Sequence, residues 1–145
     1  MVELDVVQLP GEVRPYLTLH LANTSEGTRK NAIPLDLLLD SGASNFVLDG
    51  LTCGSLGIDL KSGVREEITL GDGNTRMEAY VHDVHMWIHT KGPERVKVFF
   101  CDALNGIAPL GYIGVSGFFD RFKVTIDVRG GKVWVEDAKQ PAKAK

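Results

Sequence analysis

From Leu35 to Leu48 the chain reads Leu-Asp-Leu-Leu-Leu-Asp-Ser-Gly-Ala-Ser-Asn-Phe-Val-Leu. An apolar run stops at Asp40-Ser41-Gly42, and a second one, Phe46-Val47-Leu48, follows almost at once. A carboxylate carried by a buried strand onto a tight Ser-Gly turn is costly unless it is hydrogen-bonded or put to use. The triplet occurs once in 145 residues.

The pattern on either side of this turn is that of a β protein with one short helix. Met1 to Leu9, apolar at Val2, Leu4, Val6 and Val7, reads as a strand stopped by Pro10-Gly11. Tyr16 to Leu21 alternates with period two, and the polar stretch Asn23 to Asn31 reads as a hairpin loop leading into the apolar strand Ile33 to Leu39. Glu67 to Leu70 and Met77 to Val81 flank Gly71-Asp72-Gly73-Asn74, a hairpin turn. Further strands are expected at Val84 to Ile88 and Val96 to Phe100, followed by a stretch that turns at Gly106, Pro109, Gly111, Gly114 and Gly117. Ser116 to Phe122 is expected to make a helix of one or two turns. Lys123 to Val128 and Lys132 to Val135 bracket Arg129-Gly130-Gly131, a second hairpin. Residues 1–137 are read as one domain, and 138–145, with Lys139, Lys143 and Lys145, as a flexible tail.

Composition narrows the partners. The chain is 43% apolar and 24% charged, an ordinary globular balance, and its net charge of −3 argues against nucleic acid or an anionic membrane as partner. No apolar stretch approaches a membrane span, and the N-terminus lacks a secretory pattern, so a cytoplasmic location is expected. Cys53 and Cys101 have neither disulfide-framework nor zinc spacing and read as small core residues. His82, His85 and His89 give no metal site, because positions 82 and 85 of a strand face opposite sides and no ligand set is complete. Gly71-Asp72-Gly73 lacks the Lys-Ser/Thr of a phosphate loop. Trp87 and Trp134, among apolar strand neighbours, read as packing residues. Neither cofactor nor metal is expected.

Leu38-Leu39-Asp40-Ser41-Gly42-Ala43 resembles the catalytic loop of aspartic peptidases, whose hallmark is hydrophobic-hydrophobic-Asp-Thr/Ser-Gly-Ala/Ser. One triplet per chain is similar to the single-domain retropepsin type rather than the two-lobed pepsin type. The hairpin tipped at Gly71-Asp72-Gly73 sits where a flap belongs, and Tyr112-Ile113-Gly114, Phe118 to Phe122 and Lys123 to Asp127 resemble the ending of that fold. The resemblance runs in order from residue 33 to about 136. It implies an all-β, retropepsin-like closed barrel with a flap hairpin, and an aspartic endopeptidase acting as a homodimer on an extended peptide. Asp40 would be catalytic, Ser41 would brace the two loops, and Gly42 would offer an N–H to the carboxylate. Ala43 and Ser44 would line the substrate path, with Gly71, Asp72, Gly73 and Asn74 at the flap tip. The alternative is a catalytically inactive dimerisation or peptide-binding module on the same fold. A third reading makes Asp40 only a turn cap. The phosphorylation-dependent degradation motif that begins Asp-Ser-Gly is excluded, because Asn45 stands where its second Ser is needed.

Two departures belong together. Retroviral members commonly carry an acidic residue at the position of Ser44 and an Arg at that of Val115, and these pair. Here both charges are absent, which avoids an unpaired buried charge and leaves dimer stability to other contacts. Ala43 replaces the hydroxyl residue that bonds the ionised carboxylate in the pepsin pattern. The ionised form is then less favoured, and an optimum nearer neutral than pepsin's is expected.

Overall fold

Alternation in β2 (Tyr16–Asn23) decides what is inside: Leu17, Leu19 and Leu21 are buried, while Thr18 and His20 between them are partly open. The computed structural model describes residues 1–25, 27–69, 73–106 and 111–139. Around β2 stand β1 (Val2–Asp5), β3 (Ile33–Leu39), β4 (Val47–Asp49), β5 (Val64–Thr69), β6 (Arg76–Ile88), β7 (Lys91–Cys101), β8 (Gly111–Ile113), β9 (Phe122–Asp127) and β10 (Lys132–Asp137). The single α-helix among the described residues is α1 (Gly50–Ser55).

The pairing order is β2, β3, β8, β4, β7, β6, and β6 returns to β2 through His20–Trp87 to Asn23–Val84. That last pairing closes a six-stranded barrel, which removes the open edges of a sheet. Its interior holds Leu17, Leu19, Leu37, Phe46, Leu48, Met86, Val98, Phe100 and Ile113, all 1% exposed or less. β5 lies outside the ring as the second arm of a hairpin with β6. A separate sheet, ordered β1, β10, β9, lays Val2, Leu4, Val133 and Val135 against the same core.

The expected all-β closed barrel with a flap hairpin and one short helix is what the chain forms, but the helix is elsewhere. Residues 116–122 do not form it. Val115–Phe119 makes one wide turn interrupted at Ser116 (ψ 119°) and Gly117 (φ 97°). The helix starts instead at Asp49, whose side chain accepts the Thr52 N–H at 3.1 Å, while Asn105 Oδ1 accepts the N–H groups of Gly50 and Leu51 at 2.7 and 3.1 Å. Those acceptors satisfy donors that a six-residue helix cannot satisfy itself. The two strands expected at 77–81 and 84–88 are one, because β6 pairs with β7 without interruption from Tyr80 to Met86. The first strand ends at Asp5, and Val7 adds only an isolated bridge to Tyr16. Ala138 N donates to Arg121 O at 2.9 Å, and residues 140–145 of the expected tail lie outside the described residues.

Candidate active site

Two parallel strands, β3 and β8, bring Asp40 and Gly114 side by side, with Leu38 opposite Tyr112 and Leu39 opposite Ile113. Asp40 N then donates to Ile113 O at 3.0 Å. The turn closes on itself through Ala43 N to Asp40 O at 3.1 Å, and Gly42 N donates to Asp40 Oδ1 at 3.0 Å. Its far side is held by Val115 N to Ala43 O at 2.8 Å and Ser116 N to Ser44 O at 2.9 Å. Gly114 makes this approach possible, because a Cβ there would stand 2.5 Å from Asn45 O and 2.6 Å from Ala43 O. Backbone groups therefore hold the loop at the positions where Ser44 and Val115 carry no charge. Asp40 is half-buried, whereas Ser41, Gly42 and Ser44 are exposed and Val115 is 43% exposed.

The loop forms one side of an open cleft of about 880 Å³. Of the residues singled out in the sequence, Asp40, Gly42, Ala43, Ser44 and Gly73 line it. Ser41 and Asn74 do not, and Gly71 and Asp72 lie outside the described residues. The sequence reading missed Arg14, Leu38, Asn45, Glu67, Ile68, Thr69 and Leu104 in the lining, and gave Tyr112, which also lines it, no place there. For Leu38 the strand pattern was a usable signal; for Arg14 nothing local was.

Arg14 is fixed by Glu12. The Glu12 carboxylate accepts Arg14 Nε at 2.8 Å and Nη2 at 2.6 Å, the backbone N–H groups of Val13 and Arg14 at 3.1 Å, and the Tyr16 hydroxyl at 3.2 Å. These bonds, with the Arg14 side chain foremost, hold the Glu12 pKa down at about 2. Tyr112, on the cleft floor, has its phenol pushed up, first by burial and then by the neighbouring Cys101 and Asp40.

The β5–β6 hairpin covers the cleft from the other side. Ile68, 4% exposed, packs with Val47, Ala79 and Cys101, and Met77, Phe99, Leu104 and Tyr112 flank them. The opposite face of the hairpin is charged. Arg65 pairs with Glu78, Arg76 with Glu67 at 3.3 Å, and the Tyr80 hydroxyl donates to Glu78 at 2.8 Å. At the described part of the tip, Gly73 has φ +76°.

The remaining candidates settle into the framework. His82 Nε2 lies 2.8 Å from Leu60 O and its ring meets Phe100 edge-on, while His85 meets Trp87 edge-on. Trp87 is buried, and Trp134 donates its indole N–H to Glu3 at 3.0 Å. Both cysteines are free, and burial pushes each thiol up to about 11. Among the described residues no group of three or more His, Cys, Asp or Glu is placed to hold a metal, and no helix is long and apolar enough to cross a membrane.

Neither protein-family models nor curated proteins match this sequence. Solved structures do. A retropepsin-like aspartic protease from Rickettsia conorii matches with a TM-score of 0.60 at 18% identity, over 92% of this chain and 98% of that one. EIAV protease in complex with the inhibitor HBY-793 matches with a TM-score of 0.45 at 22% identity, over 74% of this chain and 88% of that one. The chain has a retropepsin-like fold; the first of these matches carries that statement.

Proposed function

We propose that the chain is an aspartic endopeptidase whose working unit is a homodimer. The observation that carries this reading is a half-buried carboxylate, Asp40, in the wall of an open cleft, with its loop held by backbone bonds to the segment at Gly114. One copy supplies one such carboxylate, so the chemistry takes Asp40 from each of two subunits. Two carboxylates about 3 Å apart cannot both ionise readily, and the pair shares a proton. The ionised member takes a proton from a trapped water as that water attacks the peptide carbonyl. The protonated member hydrogen-bonds the carbonyl oxygen, and no covalent intermediate forms. Apparent pKa values would belong to the pair.

Ser41 is assigned to bracing the two loops across the dimer, and Gly42 to supporting the carboxylate through its N–H. An extended peptide would lie as an added strand between the loop, with Ala43 and Ser44, and the flap, with its tip at Gly71 to Asn74. The test is cleavage of an unfolded protein between about pH 4 and 7, the span between the ordinary carboxylate and imidazole pKa values, beside Asp40→Ala. Cleavage that disappears in the variant is the expected result. Cleavage unchanged in the variant would overturn the assignment.

A second reading is favoured by one observation, the uncharged Ser44 and Val115 with Val115 43% exposed. The fold would then serve as a catalytically inactive dimerisation or peptide-binding module. It predicts a dimer that binds peptide and cleaves none at any concentration.

A further inference from the structure

Leu39 N donates to Pro15 O at 3.1 Å, and Tyr16 stands opposite Leu38 in the β2–β3 ladder. These contacts lay the segment before β2 along the end of β3, with Arg14 just ahead of Pro15 and Asp40 just past Leu39. Both residues line the cleft. Among the described residues of that lining, Arg14 is the one cation, and Asp40 and Glu67 are the anions. Two of these charges are balanced by residues outside the lining: Glu67 by Arg76 at 3.3 Å, and Arg14 by Glu12 at 2.6 Å. Asp40 has no ion-pair partner among the described residues.

We propose that Glu12 is a positioning residue for the reaction: it pins and neutralises Arg14 in the cleft wall, and so lets the Asp40 pair keep the one proton it must share. The inference rests on the peptidase reading and deepens it. An unbalanced cation beside a carboxylate favours the ionised form, and two ionised aspartates leave none to hydrogen-bond the substrate carbonyl.

Arg14 is placed to act in this way. Its pKa is raised, foremost by the side-chain bonds to Glu12 and to a smaller extent by the charge on Asp40, so the guanidinium senses both carboxylates. Glu12 holds it with a fork, Nε at 2.8 Å and Nη2 at 2.6 Å, which fixes orientation as well as distance. Glu12 is itself locked by other donors, the backbone N–H groups of Val13 and Arg14 and the hydroxyl of Tyr16. With its pKa down at about 2, it stays ionised across the ordinary carboxylate range. The other ionisable groups about Asp40 do not duplicate this role. Tyr112 on β8 has its phenol pushed up by burial and then by Cys101 and Asp40, and the Cys101 thiol behind it is pushed up to about 11. Both are neutral where the pair works, and Glu67 on β5 is tied to Arg76.

The experiment compares pH profiles of kcat/KM on an uncharged peptide with carbon-13 titration of the Asp40 carboxyl in the unliganded full chain. Glu12→Gln keeps the shape and removes the charge. It is expected to move both limbs to lower pH by about half a unit, about a threefold change in the protonated fraction. Arg14→Gln removes the cation and leaves Glu12, and is expected to move both limbs to higher pH by a similar amount. The double variant is expected near wild type, and added salt should shrink each shift. Loosened packing alone does not give opposite signs. Urea denaturation shows which variants are folded, and the sign expected of Arg14→Gln stands by itself if Glu12→Gln is not. Single variants that shift the same way, limbs that stay in place, or a double variant that sums two losses would each overturn the proposal. Asp40 titrations that move in opposite directions in a protein that cleaves nothing would spare the role of Glu12 and sink the peptidase reading. Cleavage through Asp40 with unmoved limbs would do the reverse.

Discussion

The loop at Asp40 and the β5–β6 hairpin border one cleft, and they are held in opposite ways. The loop at Asp40 is tied by backbone bonds to Ile113, Val115 and Ser116 and by the close approach of Gly114. The arms of the hairpin are tied across the face opposite Ile68 by side chains, Arg65 to Glu78 and Arg76 to Glu67, with four exposed charges. Backbone bonds do not depend on which side chains flank them. This is why the loop keeps its shape with Ser44 and Val115 in place of a charged pair. Exposed ion pairs depend on salt and pH and contribute little each.

A methyl group at each site breaks the comparison most sharply. Gly114→Ala forces a Cβ against two backbone carbonyl oxygens that cannot swing aside. It should cost about 3 kcal/mol in urea denaturation. Gly73→Ala meets nothing within 4 Å, and only its φ of +76° is unfavourable, at about 1 kcal/mol. Equal losses would mean that the crossing at Gly114 is no tighter than the flap tip.

The same contrast explains what was legible in the sequence. The loop could be read because its chemistry is local: apolar strand, Asp-Ser-Gly and a second apolar strand are contiguous. The flap could be read from its turn residues and the barrel strands from alternation. Four features could not. α1 is made of Gly-Leu-Thr-Cys-Gly-Ser, in which only Leu51 is a good helix former, and it is held by Asp49 and by the distant Asn105. Barrel closure joins His20 to Trp87, and periodicity says nothing about which strands meet. The polar residues His82 and Asp83 split β6 in the sequence, yet each has a partner there, Leu60 O for His82 and Arg95 and Lys97 for Asp83. Arg14 enters the cleft only because the segment before β2 runs beside the end of β3, where Leu39 N donates to Pro15 O at 3.1 Å, a fact of topology rather than of motif.

Neutralising the flap is a smaller perturbation. Glu67→Gln removes one exposed pair with Arg76 at 3.3 Å. The expected loss is about 0.5 kcal/mol or less, and raising the salt concentration should erase the difference from wild type. A loss of several kcal/mol, insensitive to salt, would mean that the flap is as firmly built as the loop. Glu12→Gln is the matching change on the loop side, where five donors converge on one carboxylate.

Acid should separate the two regions without any mutation. Glu78 has its pKa lowered from the ordinary 4.5, first by the Tyr80 hydroxyl and then by Arg65. Its contribution is present above that ordinary value and is lost as the pH falls through the lowered one. Glu12, held down at about 2, keeps its bonds to Arg14 and Tyr16 well below the pH at which an unperturbed glutamate is protonated. The backbone bonds around Asp40 do not titrate at all. Acidification from about pH 6 to 3, across the ordinary carboxylate range, should therefore speed amide exchange in β5 and the first half of β6, after correction for the intrinsic rate. Exchange at Asp40 and Ala43, whose N–H groups bond the backbone carbonyls of Ile113 and Asp40, should stay fixed. Equal acceleration in both regions would mean that the loop, too, depends on a titrating side chain, and Glu12 would be the first to replace.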